Sequence, residues 1–112
     1  MLPREQRLPR KAFSKVFQEG RGWGSRGLSL RAKPNGLTVS RFGFVVSKRL
    51  GRAVKRNRLK RLLRESCRRL PVKPGWDLVF IARGELKEAD FWQVRGVVER
   101  LVRRAGLLEE GQ

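Results

Sequence analysis

Between Ser47 and Arg69, eleven of 23 residues are Lys or Arg, and a single acid, Glu65, stands among them. Groups of this kind at this density do one chemistry well: they hold phosphate oxygens, arginine by a planar fork and lysine as a point charge. Their spacing adds a direction. At about 100° per helical residue, Asn57, Lys60, Arg61, Arg64 and Arg68 fall within about a third of the circumference. Leu59, Leu62, Leu63, Cys67 and Leu70 form a stripe on the opposite side. One side of the helix suits a core and the other a polyanion, with Asn57 able to hydrogen-bond backbone or base edges. A merely solvated surface would mix signs so that residues three or four apart pair. Here like charges repel by a few tenths of a kcal/mol per pair, and a counter-charge is needed to make that tolerable.

Catalytic side chains are scarce by contrast. The chain has no His and no Tyr, and its one local group of acids is Asp77, Glu85, Glu88 and Asp90. A strand edge and a helix cap account for those four without a metal. No catalytic residue and no metal ligand is therefore assigned. Cys67 is the only cysteine, which excludes an intrachain disulfide or a Cys-based zinc site and fits a reducing, cytoplasmic setting. The glycine-rich stretch GRGWGSRG, residues 20–27, is followed by the strand-like LSLRAK and not by the helix that a phosphate-binding fingerprint requires, so it reads as a loop.

The net charge of +18 over 112 residues is unevenly distributed. Residues 1–70 hold 21 Lys or Arg against 3 acids, whereas residues 71–112 hold 7 against 7. A general bias toward arginine would not leave the last third neutral, so the charge belongs to a partner: nucleic acid first, an anionic membrane surface second. No apolar run approaches the roughly 18 residues that a membrane span needs, and the N-terminus lacks the apolar segment of a secretory signal. The length fits one domain, expected over 1–112 with a flexible lead-in at 1–8 and a flexible tail at 107–112.

The elements that must position the basic face follow from periodicity and punctuation. Pro9 suits a helix's first turn, Phe13, Val16 and Phe17 recur at helical spacing, and Gly20 stops the helix. LSLRAK, from Leu28, alternates as a strand. Pro34, Asn35 and Gly36 make a turn, and Leu37–Ser40 and Arg41–Ser47 are two further β-prone runs, predicting a hairpin or small meander. The basic helix spans about Arg52 to Leu70 and ends before Pro71. WDLVFIAR reads as a buried strand, and Asp90 caps a last helix carrying Phe91, Val94, Val97, Val98, Leu101 and Val102, with Gly106 beyond it. The expected order is α-β-β-β-α-β-α, an α/β (α+β) two-layer sandwich with a small mixed sheet.

SKRLGRAVKRNRLKRLLRE, residues 47–65, resembles the RNR signature of the bacterial ribonuclease P protein family. RKAFSKVFQEG, RFGFVVSK and DLVFIAR resemble, in order, the family's first helix, central strand and last strand. The resemblance implies a left-handed β-α-β crossover through the signature helix, where general chirality statistics favour the right-handed form. It assigns Arg52, Lys55, Arg56, Asn57, Arg58, Lys60, Arg61, Arg64 and Arg68 to contact with the ribonuclease P RNA. It also implies a cleft for the single-stranded 5′ leader of precursor tRNA, carried by Arg10, Lys11, Phe13, Lys15, Phe17, Arg31, Ser47 and Lys48. Aromatic faces accept unstacked bases and basic groups track the backbone. Spacing alone is equally consistent with Phe13 and Phe17 lying in the core. Where family members can carry an aromatic on the first strand, this chain has Arg31, so contact there would rest on charge.

On this resemblance the reaction belongs to the RNA and to Mg²⁺ bound chiefly by it, with the protein inactive alone and no protein oligomer predicted. The competing possibilities are a structural RNA binder, such as a small ribosomal protein, and a nuclease in its own right.

Overall fold

A computed structural model describes residues 2–109. Helix α1 (Phe13–Glu19) follows a 3-10 turn at Arg10–Ala12 and ends at Gly20, whose backbone is extended and where a side chain would collide with the Val16 and Ala32 carbonyls. Strands β1 (Arg21–Ser25), β2 (Leu28–Pro34) and β3 (Arg41–Val46) precede the basic helix α2 (Ala53–Arg69). Strand β4 (Trp76–Ala82) and helix α3 (Phe91–Arg104) complete the order α-β-β-β-α-β-α. Asp90 and Gln93 form a reciprocal capping box at the start of α3.

The number of strands is as expected, but two boundaries differ. The glycine-rich stretch read as a loop contains β1, an edge strand paired antiparallel with β2, with Trp23 opposite Leu30. One aromatic anchor and an edge position suffice where alternation is absent. Leu37–Ser40 is not a strand. The Asn35 side chain accepts from the Leu37 amide at 2.7 Å and donates to the Val39 carbonyl at 3.1 Å, holding the segment in a turn. The hairpin is consequently β1–β2 and not one across Pro34–Gly36. The sheet order is β1-β2-β4-β3, with β4 antiparallel to β2 and parallel to β3. The parallel pair is the one joined through α2, the connection that the crossover requires.

Alternation divides the sheet into two unequal sides. Leu28, Leu30, Phe42, Leu78 and Phe80 face the large core with Leu59, Leu63 and Cys67 of α2 and Val94, Val98 and Leu101 of α3. The sheet and these two helices are the two layers. The other side carries a small cluster, Leu8, Val16 and Val79, edged by Phe13, Val45 and Ile81, with α1 as partial cover. Strand β4 is buried on both sides, which explains its unbroken apolar run.

The segments expected to be flexible pack instead. Leu2 and Leu8 are buried, Arg4–Gln6 forms a 3-10 turn, and the Leu8 amide donates to the Phe42 carbonyl at 2.9 Å, covering the outer edge of β3. Leu107 and Leu108 are buried as well, while residues 110–112 of the expected tail lie outside the described residues.

Candidate nucleic-acid interface

The chain enters α2 through a 3-10 turn at Lys48–Leu50, capped by the Ser47 hydroxyl, which accepts from the Arg49 amide. Gly51 then turns it at φ 119°, a conformation that favours glycine. The nine residues assigned to RNA by resemblance divide by what they already touch. Arg56 donates to the Gly51 carbonyl and Arg58 to the Ala89 carbonyl, each at 3.1 Å, so both brace the first turns of α2 against its neighbours. Lys55 pairs with Glu88 at 3.1 Å, and Arg68 grips Glu65 with two nitrogens, holding that carboxyl down to about 2. Arg52 is exposed at the N-cap. Asn57, Lys60, Arg61 and Arg64 stand on the outer side, opposite the buried leucines, as the helical projection requires.

The residues assigned to the leader lie on the thin side of the sheet and in the turn before α2. Val16 is the member of the α1 stripe that is fully buried; Phe13 is half-buried, and Phe17 keeps 38% of its surface exposed. The two phenylalanines therefore line a surface beside the core and do not fill it. Phe13 lies flush on the bare backbone of Gly43, where an added side chain would strike its ring. Arg10, Lys11 and Lys15 are exposed on α1 and the turn leading into it, Lys48 is exposed in the turn before α2, and Ser47 is half-exposed at the end of β3. Arg31 behaves differently from the expectation of a free charge. One of its terminal nitrogens donates to the Phe17 and Gly20 carbonyls, both at 2.8 Å, so it ties the C-terminal end of α1 to β2.

The two sets of residues meet. A cavity of about 180 Å³ at the β3 edge of the sheet is lined by Phe13, Gly43 and Phe44 together with Arg7 and with Lys60 and Arg64 of α2. A second hollow of about 560 Å³, bordered by Arg7, Arg61, Arg64 and Glu65, continues along α2. Sequence reasoning missed Arg7 and Phe44. Arg7 lay in the supposed lead-in, and a phenylalanine on a strand carries no sign of which side it faces.

The acids stay apart: Asp77 accepts from Arg41 and Asn35, Glu88 from Lys55, and Asp90 caps α3. Among the described residues no three His, Cys, Asp or Glu side chains gather as metal ligands. Burial pushes the Cys67 thiol well above its ordinary pKa, which keeps it an inert core group. No helix among the described residues is long and apolar enough to cross a membrane.

Fold and face together define a class: a small α+β protein with one strongly basic helix side and a partly exposed aromatic surface beside it. Residues 2–106 match the ribonuclease P family. The ribonuclease P protein component of Roseiflexus castenholzii is 47% identical over 100 residues, covering 87% of this chain and 82% of that one. That of Caldanaerobacter subterraneus subsp. tengcongensis is 43% identical, covering 88% and 86%. The solved RNase P protein of Thermotoga maritima superposes with a TM-score of 0.81 at 36% identity, over 94% of this chain and 98% of that one. The chain belongs to the ribonuclease P protein family, as the resemblance of residues 47–65 implied.

Proposed function

We propose that this protein is the subunit that binds the catalytic RNA of ribonuclease P and the 5′ leader of precursor tRNA, assisting Mg²⁺-dependent removal of the leader. The observation that carries the reading is the shared cavity, where the phosphate-holding side of α2 and the aromatic surface of α1 and β3 border one space through Lys60, Arg64 and Phe13. A structural RNA binder needs the first of these and has no use for the second. Asn57, Lys60, Arg61 and Arg64 face the RNA, with Arg52 at the helix start, while Lys55, Arg56 and Arg58 chiefly tie α2 to its neighbours and Arg68 pairs with Glu65 within the helix. The leader runs past Phe13 and Phe17 among Arg10, Lys11, Lys15, Ser47 and Lys48, and Arg31 acts by positioning α1. Mg²⁺ keeps much of its water shell and favours phosphate oxygens, so the ion is assigned chiefly to the RNA. The protein's share is affinity and the screening of phosphate repulsion.

The test mixes the purified protein with its cognate RNA and precursor tRNA at low Mg²⁺. Faster cleavage at the mature 5′ end is expected, and none by the protein without the RNA. Unchanged cleavage would return the protein to the structural binders, and cleavage without RNA would make it a nuclease.

A further inference from the structure

The outer side of α3 carries a feature that neither the basic face nor the leader groove uses. Trp92 leaves 71% of its surface in water, although nothing in the fold needs an indole there. Phe91 meets it edge-on with ring centres 5.1 Å apart, and the Arg69 guanidinium of α2 lies 5.5 Å over the Phe91 ring, so the pair is held in place. One turn further along the same side is Gly96, inside a 14-residue helix. Glycine there loosens the helix relative to alanine, and packing does not demand it. An added Cβ would meet one atom within 4 Å, the tip of Arg100 at 3.9 Å. An exposed flat ring, a bare stretch of backbone and an arginine thus follow one another over about 12 Å of helix.

We propose that this strip of α3 is a second contact for single-stranded RNA: an unstacked base lies on Trp92, the sugar-phosphate chain passes close over Gly96, and Arg100 takes a phosphate. Stacking on an aromatic face with a nearby arginine is how unpaired strands are held without regard to sequence. The neighbouring acid, Glu99, is already engaged by Arg95 and Arg103 and does not oppose a phosphate as a free charge. A second copy of this chain is the poorer occupant, because two bodies of net charge +18 repel. The inference rests on the proposed role of the protein as an RNA-binding subunit.

The experiment uses the full chain with a fluorescein-labelled twelve-nucleotide oligouridylate and an RNA duplex of the same length. The oligouridylate is expected to quench tryptophan emission more in the parent than in Trp92→Phe, where only Trp23 and Trp76 emit and where a stacking ring keeps most of the affinity. Trp92→Ala should weaken single-strand binding about fivefold to tenfold and duplex binding hardly at all. Gly96→Leu should weaken the single strand similarly while raising the melting temperature, so a loss of binding cannot be a loss of fold. Parent-like single-strand affinity in both Trp92→Ala and Gly96→Leu would overturn the inference while leaving the α2 interface intact. So would sedimentation showing a parent dimer that Trp92→Ala dissolves. Failure of the parent to bind either RNA would instead overturn the RNA-binding role itself, and this strip with it.

Discussion

The two sides of the sheet are built to different ends. On the side of α2 and α3, Phe80, Leu30, Leu63 and Leu101 are sealed from solvent in one continuous core. On the side of α1, a seven-residue helix covers the sheet with Val16 as its fully buried contact, and Phe13, Val45 and Ile81 stay half-open. Polar ties hold that thin side where packing does not. Arg31 clasps the end of α1, Lys33 reaches Glu19 at 3.6 Å, and Arg41 forks onto Asp77 across the β3–β4 pair at 2.8 and 2.9 Å. Stability concentrated on one side leaves the other free to present aromatic and basic groups to a ligand.

Truncation should separate the two sides. Phe80→Ala opens a cavity in the thick core and is expected to cost about 3–5 kcal/mol, measured by denaturant unfolding. A cost near that of a surface change would mean that the core does not concentrate the stability.

The Arg41–Asp77 clasp comes next. Asp77 is 6% exposed, and burial works against its ionisation, but the hydrogen bonds from Arg41 and Asn35 outweigh that and hold its pKa below the ordinary carboxylate value. Because the folded pKa is depressed, the stabilisation is fully present above the unfolded value near ~4 and is lost as pH falls through the folded one. Asp77→Ala strands Arg41 and Asn35 and should cost about 2–3 kcal/mol at neutral pH, somewhat under the figure for a fully buried pair. Asp77→Asn should flatten the acid limb of the stability curve. An acid limb identical to the parent's would remove the clasp from the account of the thin side.

Much of this division can be read from the sequence, and the remainder has definite causes. Helices α2 and α3 declare themselves by long apolar periods with Pro71 and Asp90 as punctuation, and β4 by its unbroken run. Strand β1 is hidden because Trp23 is its one apolar anchor among glycines. The sheet order is hidden because β4, distant in sequence, inserts between β2 and β3. The outward basic face of α2 is legible from spacing alone, but its subdivision is not. Glu88 and the Ala89 carbonyl, which engage Lys55 and Arg58, arrive from beyond β4. Arg7 joins the cavity because Leu2 and Leu8, two isolated apolar residues with no period to announce them, pin the lead-in.

The outer side of α2 extends the comparison to binding. Arg61 and Arg64 contribute to no core, so replacing both with Ala should leave unfolding unchanged within about 0.5 kcal/mol. Each lost phosphate contact should lower the salt-dependence slope of RNA binding by about 0.7–0.9 log units. Filter binding over a salt series reads the slope, and an unaltered value would remove these two residues from the interface.

Phe17 tests the thin side with the smallest effect on the fold. Its ring is more than a third exposed, and the carbonyl it contributes to Arg31 is backbone, which a substitution leaves in place. Phe17→Ala should therefore cost less than about 1 kcal/mol in stability, far from the core value for a phenylalanine. If the ring is a platform for an unstacked base, worth about 1 kcal/mol or more, affinity for precursor tRNA should fall several-fold while affinity for mature tRNA holds. Equal losses for both substrates would mean that the ring shapes α1 without touching the leader. Loss of several kcal/mol in folding would mean that the thin side is a second core, and the contrast between the two sides would disappear.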